Sequence, residues 1–148
     1  MSTISASRPA DVRLGPLSLW VHGYEYADAA EFYDANWLRV TTRCSAAGSS
    51  VEVSGAILLT SDLEKWREDL ARLHESLSGE AILEPPEPNL AVRLRAEALG
   101  HIAGEISVTP DPLSQEHRFV FEVDQTYLAS ALSQLNVLVR QWPVRHRA

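Results

Sequence analysis

The sequence predicts an α+β fold: an antiparallel meander of about six to seven strands with two helices packed on one of its faces. Three patterns predict it. Most apolar residues alternate at the two-residue period of half-buried strands, two stretches repeat every three to four residues instead, and short turn-forming loops separate consecutive strands. Such short connections favour antiparallel pairing, since each parallel pair needs a long crossover. A chain of 148 residues, 45% of them hydrophobic, is long enough to bury one continuous core. Residues 11–145 are therefore read as a single domain and residues 1–10 as a disordered N-terminal tail.

Leu17, Leu19 and Val21 alternate with Ser18, Trp20 and His22, which gives the first strand one apolar face. In the second strand, Leu38, Val40, Thr42 and Cys44 alternate with Trp37, Arg39, Thr41 and Arg43; Val51, Val53, Gly55, Ile57 and Leu59 share one face of the third. Ala46-Ala47-Gly48-Ser49 joins these two strands, and Gly48 can take positive φ, so the pair reads as a β-hairpin. Ser61-Asp62-Leu63-Glu64 has the form of a capping box, with Ser61 at the N-cap and Glu64 three residues on. Leu63, Trp66, Leu70, Leu73 and Leu77 then recur at helical spacing. Glu64, Lys65, Arg67, Glu68, Asp69 and Arg72 take the solvent side, and Gly79 ends the helix in a left-handed conformation. Burial of such a stripe contributes roughly 1.5–3 kcal/mol per large side chain, which makes this helix a core element.

Ala81-Ile82-Leu83 reads as a short edge strand ahead of Pro85-Pro86-Glu87-Pro88, a connector that no strand or helix interior accommodates. Three further strands follow from Leu90, Val92 and Leu94, from Ile102, Gly104, Ile106 and Val108, and from Phe119, Phe121 and Val123. A turn at Gly100 and the loop Thr109-Pro110-Asp111-Pro112 separate them. Asp124 is a natural N-cap for the second helix, whose apolar face is Leu128, Ala131, Leu132, Leu135, Leu138 and Val139 and which Pro143 bounds. No internal repeat stands out.

The chemistry-bearing residues are scattered. His22, His74, His101, His117 and His146 show no paired metal-ligand spacing, although His22 and His101 lie on strands that can approach each other. Cys44 is the single cysteine, so no intrachain disulfide or cysteine metal cluster forms, and a reducing, cytoplasmic setting is expected. Glycines are isolated and build no phosphate loop, and no nucleophile elbow is present. The expectation is no catalytic residue, no metal and no cofactor. Residues 1–10 lack the charged and apolar regions of a signal peptide, and the apolar runs are too short to span a membrane. With 13 basic against 20 acidic residues, the formal charge of −7 repels phosphate backbones. Nucleic acid and membrane are thus not expected as partners, and a basic protein is.

One segment assembles polar and aromatic groups beyond what folding requires. Gly23 to Trp37 reads G-Y-E-Y-A-D-A-A-E-F-Y-D-A-N-W, with Glu25, Asp28, Glu31 and Asp34 at every third position and no basic residue between Arg13 and Arg39. Tyr24, Tyr26, Phe32 and Tyr33 are interleaved with them. Tyrosine and tryptophan are enriched at interface hot spots, and a row of carboxylates steers a basic partner. Glu25, Tyr26, Asp28, Glu31, Tyr33 and Asp34 are therefore the candidate partner-binding residues. Phe32, Tyr33 and Trp37 are placed to dock on the sheet. The bland alternative is a solvated connector whose aromatics plug a sheet edge.

The chain also resembles the WapI-type bacterial immunity proteins. The resemblance rests on D-A-N-W-L-R-V (Asp34 to Val40), L-L-T-S-D-L-E-K-W (Leu58 to Trp66) and F-E-V-D-Q-T-Y-L (Phe121 to Leu128), in that order and spacing. Trp37, Asp124 and Gln125 are matched with Asp34 as family-motif positions, and no catalytic set comes with them. The resemblance implies a cytoplasmic protein that binds and neutralises the toxic C-terminal domain of a cognate WapA-like toxin, without enzymatic turnover. The rival readings are an enzyme or small-molecule binder with a pocket between helices and sheet, and a structural protein with no toxin.

Overall fold

A computed structural model describes residues 8–147, and their strands form two four-stranded antiparallel sheets. In the first, β1 (Val12–Leu14), β2 (Leu17–Tyr24), β3 (Trp37–Ala46) and β4 (Ser49–Leu59) lie side by side in chain order. In the second, β5 (Glu80–Leu83), β6 (Leu90–Ala96), β7 (His101–Val108) and β8 (Arg118–Asp124) do the same. A short helix α1 (Phe32–Asn36) interrupts the β2–β3 connection, and the long helices α2 (Thr60–Ser76) and α3 (Gln125–Gln141) follow β4 and β8. The fold is α+β as expected, but the expected single meander is two, with eight strands among the described residues. The strand the sequence reading lacks is β1, whose three residues are too few for alternation to register.

Four strands and a long helix thus occur twice in succession. No repeat shows in the sequence because the order of elements recurs while the side chains filling each half differ. Each long helix packs against the other half: α2 lies beside β5, α3 beside β1, and the two helices pack on one another. Polar contacts fasten the second exchange. The Arg13 backbone N–H donates to Gln134 Oε1 (2.8 Å), and the Gly15 N–H donates to the Tyr127 hydroxyl (3.1 Å). Both sheets and both helices consequently enclose one core, in which Leu19, Val40, Trp66, Leu70, Ile106 and Leu135 are all fully buried.

Several local expectations shift. Helix α2 starts before Ser61: Leu59 is the N-cap, and Asp62 rather than Glu64 sits at the third position, its Oδ2 accepting the Leu59 N–H at 2.9 Å. The sequence offers two acidic residues two positions apart, and the bend out of β4 selects the earlier one. At the other end Leu77 is the left-handed residue closing the helix (φ 52°), its N–H donating to Leu73 O, and Gly79, positive in φ as expected (83°), follows two residues beyond it. Asp69, expected on the solvent side, is buried between Lys65 and Arg72 at 2.9 and 2.8 Å. Leu132 is only half-buried, because it lies at the margin of the α3 stripe whose centre is Leu128, Ala131 and Leu135. The β3–β4 turn is as expected: Ala47 and Gly48 both have positive φ, the geometry of a two-residue hairpin. Of the tail residues 1–10, the first seven lie outside the described residues. Arg8 donates to Asp11 (2.9 Å) and to Val21 O (3.0 Å), and its carbonyl receives the Trp20 indole N–H (2.9 Å).

Candidate functional site

The acidic-aromatic segment is the β2–β3 connection, and its geometry follows from where its ends are tied. The Glu25 N–H donates to Trp37 O at 2.8 Å, so the loop leaves and re-enters the sheet at one point. Glu31 caps α1: its Oε1 accepts the Asp34 N–H at 3.0 Å, and its carbonyl accepts the Ala35 N–H at 2.9 Å. Five helical residues then deliver the chain to β3.

Asn36 anchors this helix in the interior, with no exposed surface and all four of its amide valences satisfied. Its Nδ2 donates to Phe32 O (2.7 Å) and Arg145 O (2.9 Å). Its Oδ1 accepts from the Thr60 hydroxyl (2.6 Å) and the Arg145 N–H (2.8 Å). One buried amide thereby joins α1, the start of α2 and the chain beyond α3. Tyr24 lies on the same seam, donating its hydroxyl to Pro143 O (2.6 Å) and meeting the Trp142 ring edge-on at 5.3 Å. Burial raises the Tyr24 phenol above its ordinary pKa, although the Arg145 guanidinium pulls the other way.

The carboxylates of the segment divide by role. Glu25 pairs with Arg39, whose Nε and Nη2 each lie 3.0 Å from Oε1. Glu31 is engaged as the cap. Asp28 and Asp34 are exposed and have no side-chain partner among the described residues. The absence of a basic residue between Arg13 and Arg39 holds along the chain but not in space, where Arg39 and Arg145 both reach the segment. Tyr26 lies two residues before Asp28 and Tyr33 directly before Asp34, and they are 51% and 59% exposed. Phe32 is half-buried and meets Tyr33 edge-on at 5.5 Å, and Trp37 is half-buried at the start of β3. Tyr33, expected among the residues docked on the sheet, points instead to solvent.

The other residues singled out in the sequence have structural surroundings. Asp124 caps α3, accepting the N–H groups of Thr126 (3.0 Å) and Tyr127 (3.2 Å). The Thr126 hydroxyl, then the Tyr127 N–H, hold its carboxyl below the ordinary carboxylate range. The Gln125 carboxamide lies against Gly100 in the β6–β7 turn. His22 and His101 belong to different sheets: His22 Nε2 bonds the Thr41 hydroxyl (2.8 Å), while His101 Nδ1 stands 3.5 Å from Glu122. Burial, then the charge of Arg8, lowers the His22 pKa. Cys44 is buried in β3, and burial pushes its thiol up to about 12. Among the described residues no three His, Cys, Asp or Glu side chains gather as metal ligands. No described helix is long and apolar enough to cross a membrane. A cleft of about 650 Å³ opens between the β3–β4 hairpin and the start of β8, at the surface rather than between helices and sheet.

Asn36 and Arg145 are the members that sequence reading misses. Asn36 sits inside the D-A-N-W motif, but an asparagine ahead of a strand reads as a turn residue. Arg145 lies 109 positions from Asn36, and nothing local marks it.

The Immunity protein WapI-like family matches residues 12–143, nearly the whole described chain. No curated protein matches the sequence. Among solved structures the fold is similar to WHY1 from Arabidopsis thaliana, with TM-score 0.50 and 10% identity over 87% of this chain and 79% of that one. It is similar to the same degree to WHY3 from Arabidopsis thaliana, with TM-score 0.50 and 10% identity over 88% and 83%. The plant transcriptional regulator PBF-2 matches with TM-score 0.50 and 10% identity over 85% and 75%. At such identity the likeness is one of fold alone.

Proposed function

The chain belongs to the WapI-like immunity protein family, and from that premise we propose that it protects its cell by binding the toxic C-terminal domain of a cognate WapA-like toxin in the cytoplasm. It acts stoichiometrically and without turnover, by covering a basic surface of that domain. The observation that carries the reading is the pairing of free Asp28 and Asp34 with exposed Tyr26 and Tyr33 on a loop whose feet are fixed. Exposed tyrosines offer large contact area at low entropic cost, and unpaired carboxylates supply long-range attraction without first breaking an ion pair. A formal charge of −7 adds to the same field.

The test is Asp28→Lys with Asp34→Lys, two positions whose side chains hold nothing in the fold. The C-terminal domain of the cognate toxin is co-expressed with each immunity protein, and growth is scored together with the association rate of the purified pair. Reversal should abolish protection and slow association, with the wild-type rate falling steeply as salt rises. Full protection at wild-type stoichiometry by a folded double variant would place the contact surface elsewhere.

A further inference from the structure

We propose that Arg145 is a positioning residue for the partner surface: it holds the 25–36 loop in its binding conformation from outside that surface. The inference rests on the loop being the surface that meets the toxin. Its guanidinium donates from Nη1 to Ala27 O (2.9 Å), from Nη2 to Tyr26 O (2.9 Å), and from Nε to Ala35 O (2.9 Å), with Nη2 also reaching Ala35 O. Its Cζ lies 3.6 Å from the centre of the Tyr24 ring. Its own backbone N–H and carbonyl close on the two ends of the Asn36 amide at 2.8 and 2.9 Å. One side chain therefore grips the loop at both feet, residues 26–27 and 35, and leaves the arch between them to bear the free carboxylates of Asp28 and Asp34.

What it grips matters as much as how firmly. All of these acceptors are main-chain carbonyls, so the cation fixes the backbone while pairing with none of the carboxylates. An arginine bridged to Asp28 or Asp34 would order the loop equally well and remove the charge that attracts a basic partner. Here shape is set and charge is kept. A loop already held in its bound shape avoids the ordering cost of association, which is how a residue with no partner contact governs affinity. Lysine substitutes only in part, because a single ammonium does not span three carbonyls and stack on a ring at once.

The test compares Arg145→Met, which keeps an apolar stem and loses every donor, with Arg145→Lys and the wild type. The first measurement is amide hydrogen exchange of the free protein. Arg145→Met should speed exchange at Glu25, Asp34 and Ala35 by at least about tenfold while leaving β6 and β7 unchanged, since local opening needs no global unfolding. The second is association with the C-terminal domain of the cognate toxin, which should slow or weaken by at least about tenfold for Arg145→Met and less for Arg145→Lys. Unchanged exchange in the loop overturns the proposal. So does faster exchange with toxin binding within about twofold of wild type, a difference too small to carry positioning. If Asp28→Lys with Asp34→Lys abolishes binding while Arg145→Met does not, the positioning role fails and the partner surface stands. If neither substitution affects binding, both fail. Should Arg145→Met melt the whole domain, Arg145→Lys carries the same comparison.

Discussion

The two sheets meet at an aromatic ring set against bare backbone, and that contact gives a prediction whose sign is in question. Gly104 lies in β7 directly opposite Phe121 of β8. A Cβ added at Gly104 would stand 2.2, 2.4 and 2.7 Å from Phe121 ring atoms. The same ring covers Gly15, in the β1–β2 turn of the other sheet, where an added Cβ would stand 2.4 Å from it. Phe121 therefore links the halves by filling the space that two absent side chains leave. Gly15 is a poor site for a test, since its φ of 56° strains any other residue. Gly104 is a clean one, because its φ is not positive and alanine suits that backbone.

Two effects oppose one another in Gly104→Ala. Restricting the unfolded chain stabilises by about 0.4–1 kcal/mol. Forcing a methyl into occupied space costs about 1–3 kcal/mol. With contacts this far inside van der Waals distance the second should win, for a net loss of about 0.5–2 kcal/mol. In urea unfolding the midpoint should fall at constant slope, and the melting temperature should drop by about 2–4 °C per kcal/mol. The decisive measurement is the same substitution in a Phe121→Ala background, where the obstacle is gone and only the entropic gain remains. There Gly104→Ala should be neutral or stabilising by up to about 1 kcal/mol. Equal effects in both backgrounds, within about 0.5 kcal/mol, would show that the ring does not occupy the Gly104 face and would refute the inter-sheet link.

Two further outcomes follow from the core and its charges. Leu70, fully buried on α2, should cost about 2–5 kcal/mol when replaced by alanine, and a chemically measured loss below about half a kcal/mol would mean that α2 does not cover the core. For Asp69, burial alone would raise the carboxyl, but hydrogen bonds and charges from Lys65 and Arg72 together hold it below its ordinary value. Because the folded value lies below the unfolded one, its contribution is full above the ordinary carboxylate range and is lost as pH falls through the folded value. Urea midpoints measured across the acid range should show a smaller decline in Asp69→Asn than in wild type, and identical slopes would contradict the assignment.

How far the fold was legible follows from which signals are local. Two-residue alternation placed β2, β3, β4, β6, β7 and β8, and the helical stripe from Leu63 to Leu73 placed α2, because each pattern is completed within a few residues. Asp124 was legible as a cap for the same reason. The division into two sheets was not, since no strand carries a mark of which neighbour it lacks, and the exchange of helices between halves is a matter of packing alone. Gly104 looked like one more inward strand position. Its purpose, to receive a ring from the next strand, appears only when Phe121 is seen to lie across it.

The acidic segment marks the same limit at the candidate site. In sequence its four carboxylates form one class, evenly spaced and equally available. Once the chain turns through α1 they separate. Glu25 answers Arg39 and Glu31 holds the first turn of the helix, so reversing either changes the loop as well as its charge. Removing the Glu31 cap alone would cost roughly 0.5–2 kcal/mol, comparable to what a surface contact contributes. A triple reversal of Glu25, Asp28 and Glu31 would therefore confound a misfolded loop with a repelled partner. Asp28 and Asp34 carry charge and no structural duty, which makes them the pair that isolates attraction. Arg145 has the complementary character, structural duty with its charge turned inward on carbonyls. Beside Glu25 and Glu31, which do both, the loop thus has residues that hold its charge alone and one that holds its shape alone, and these can be removed separately.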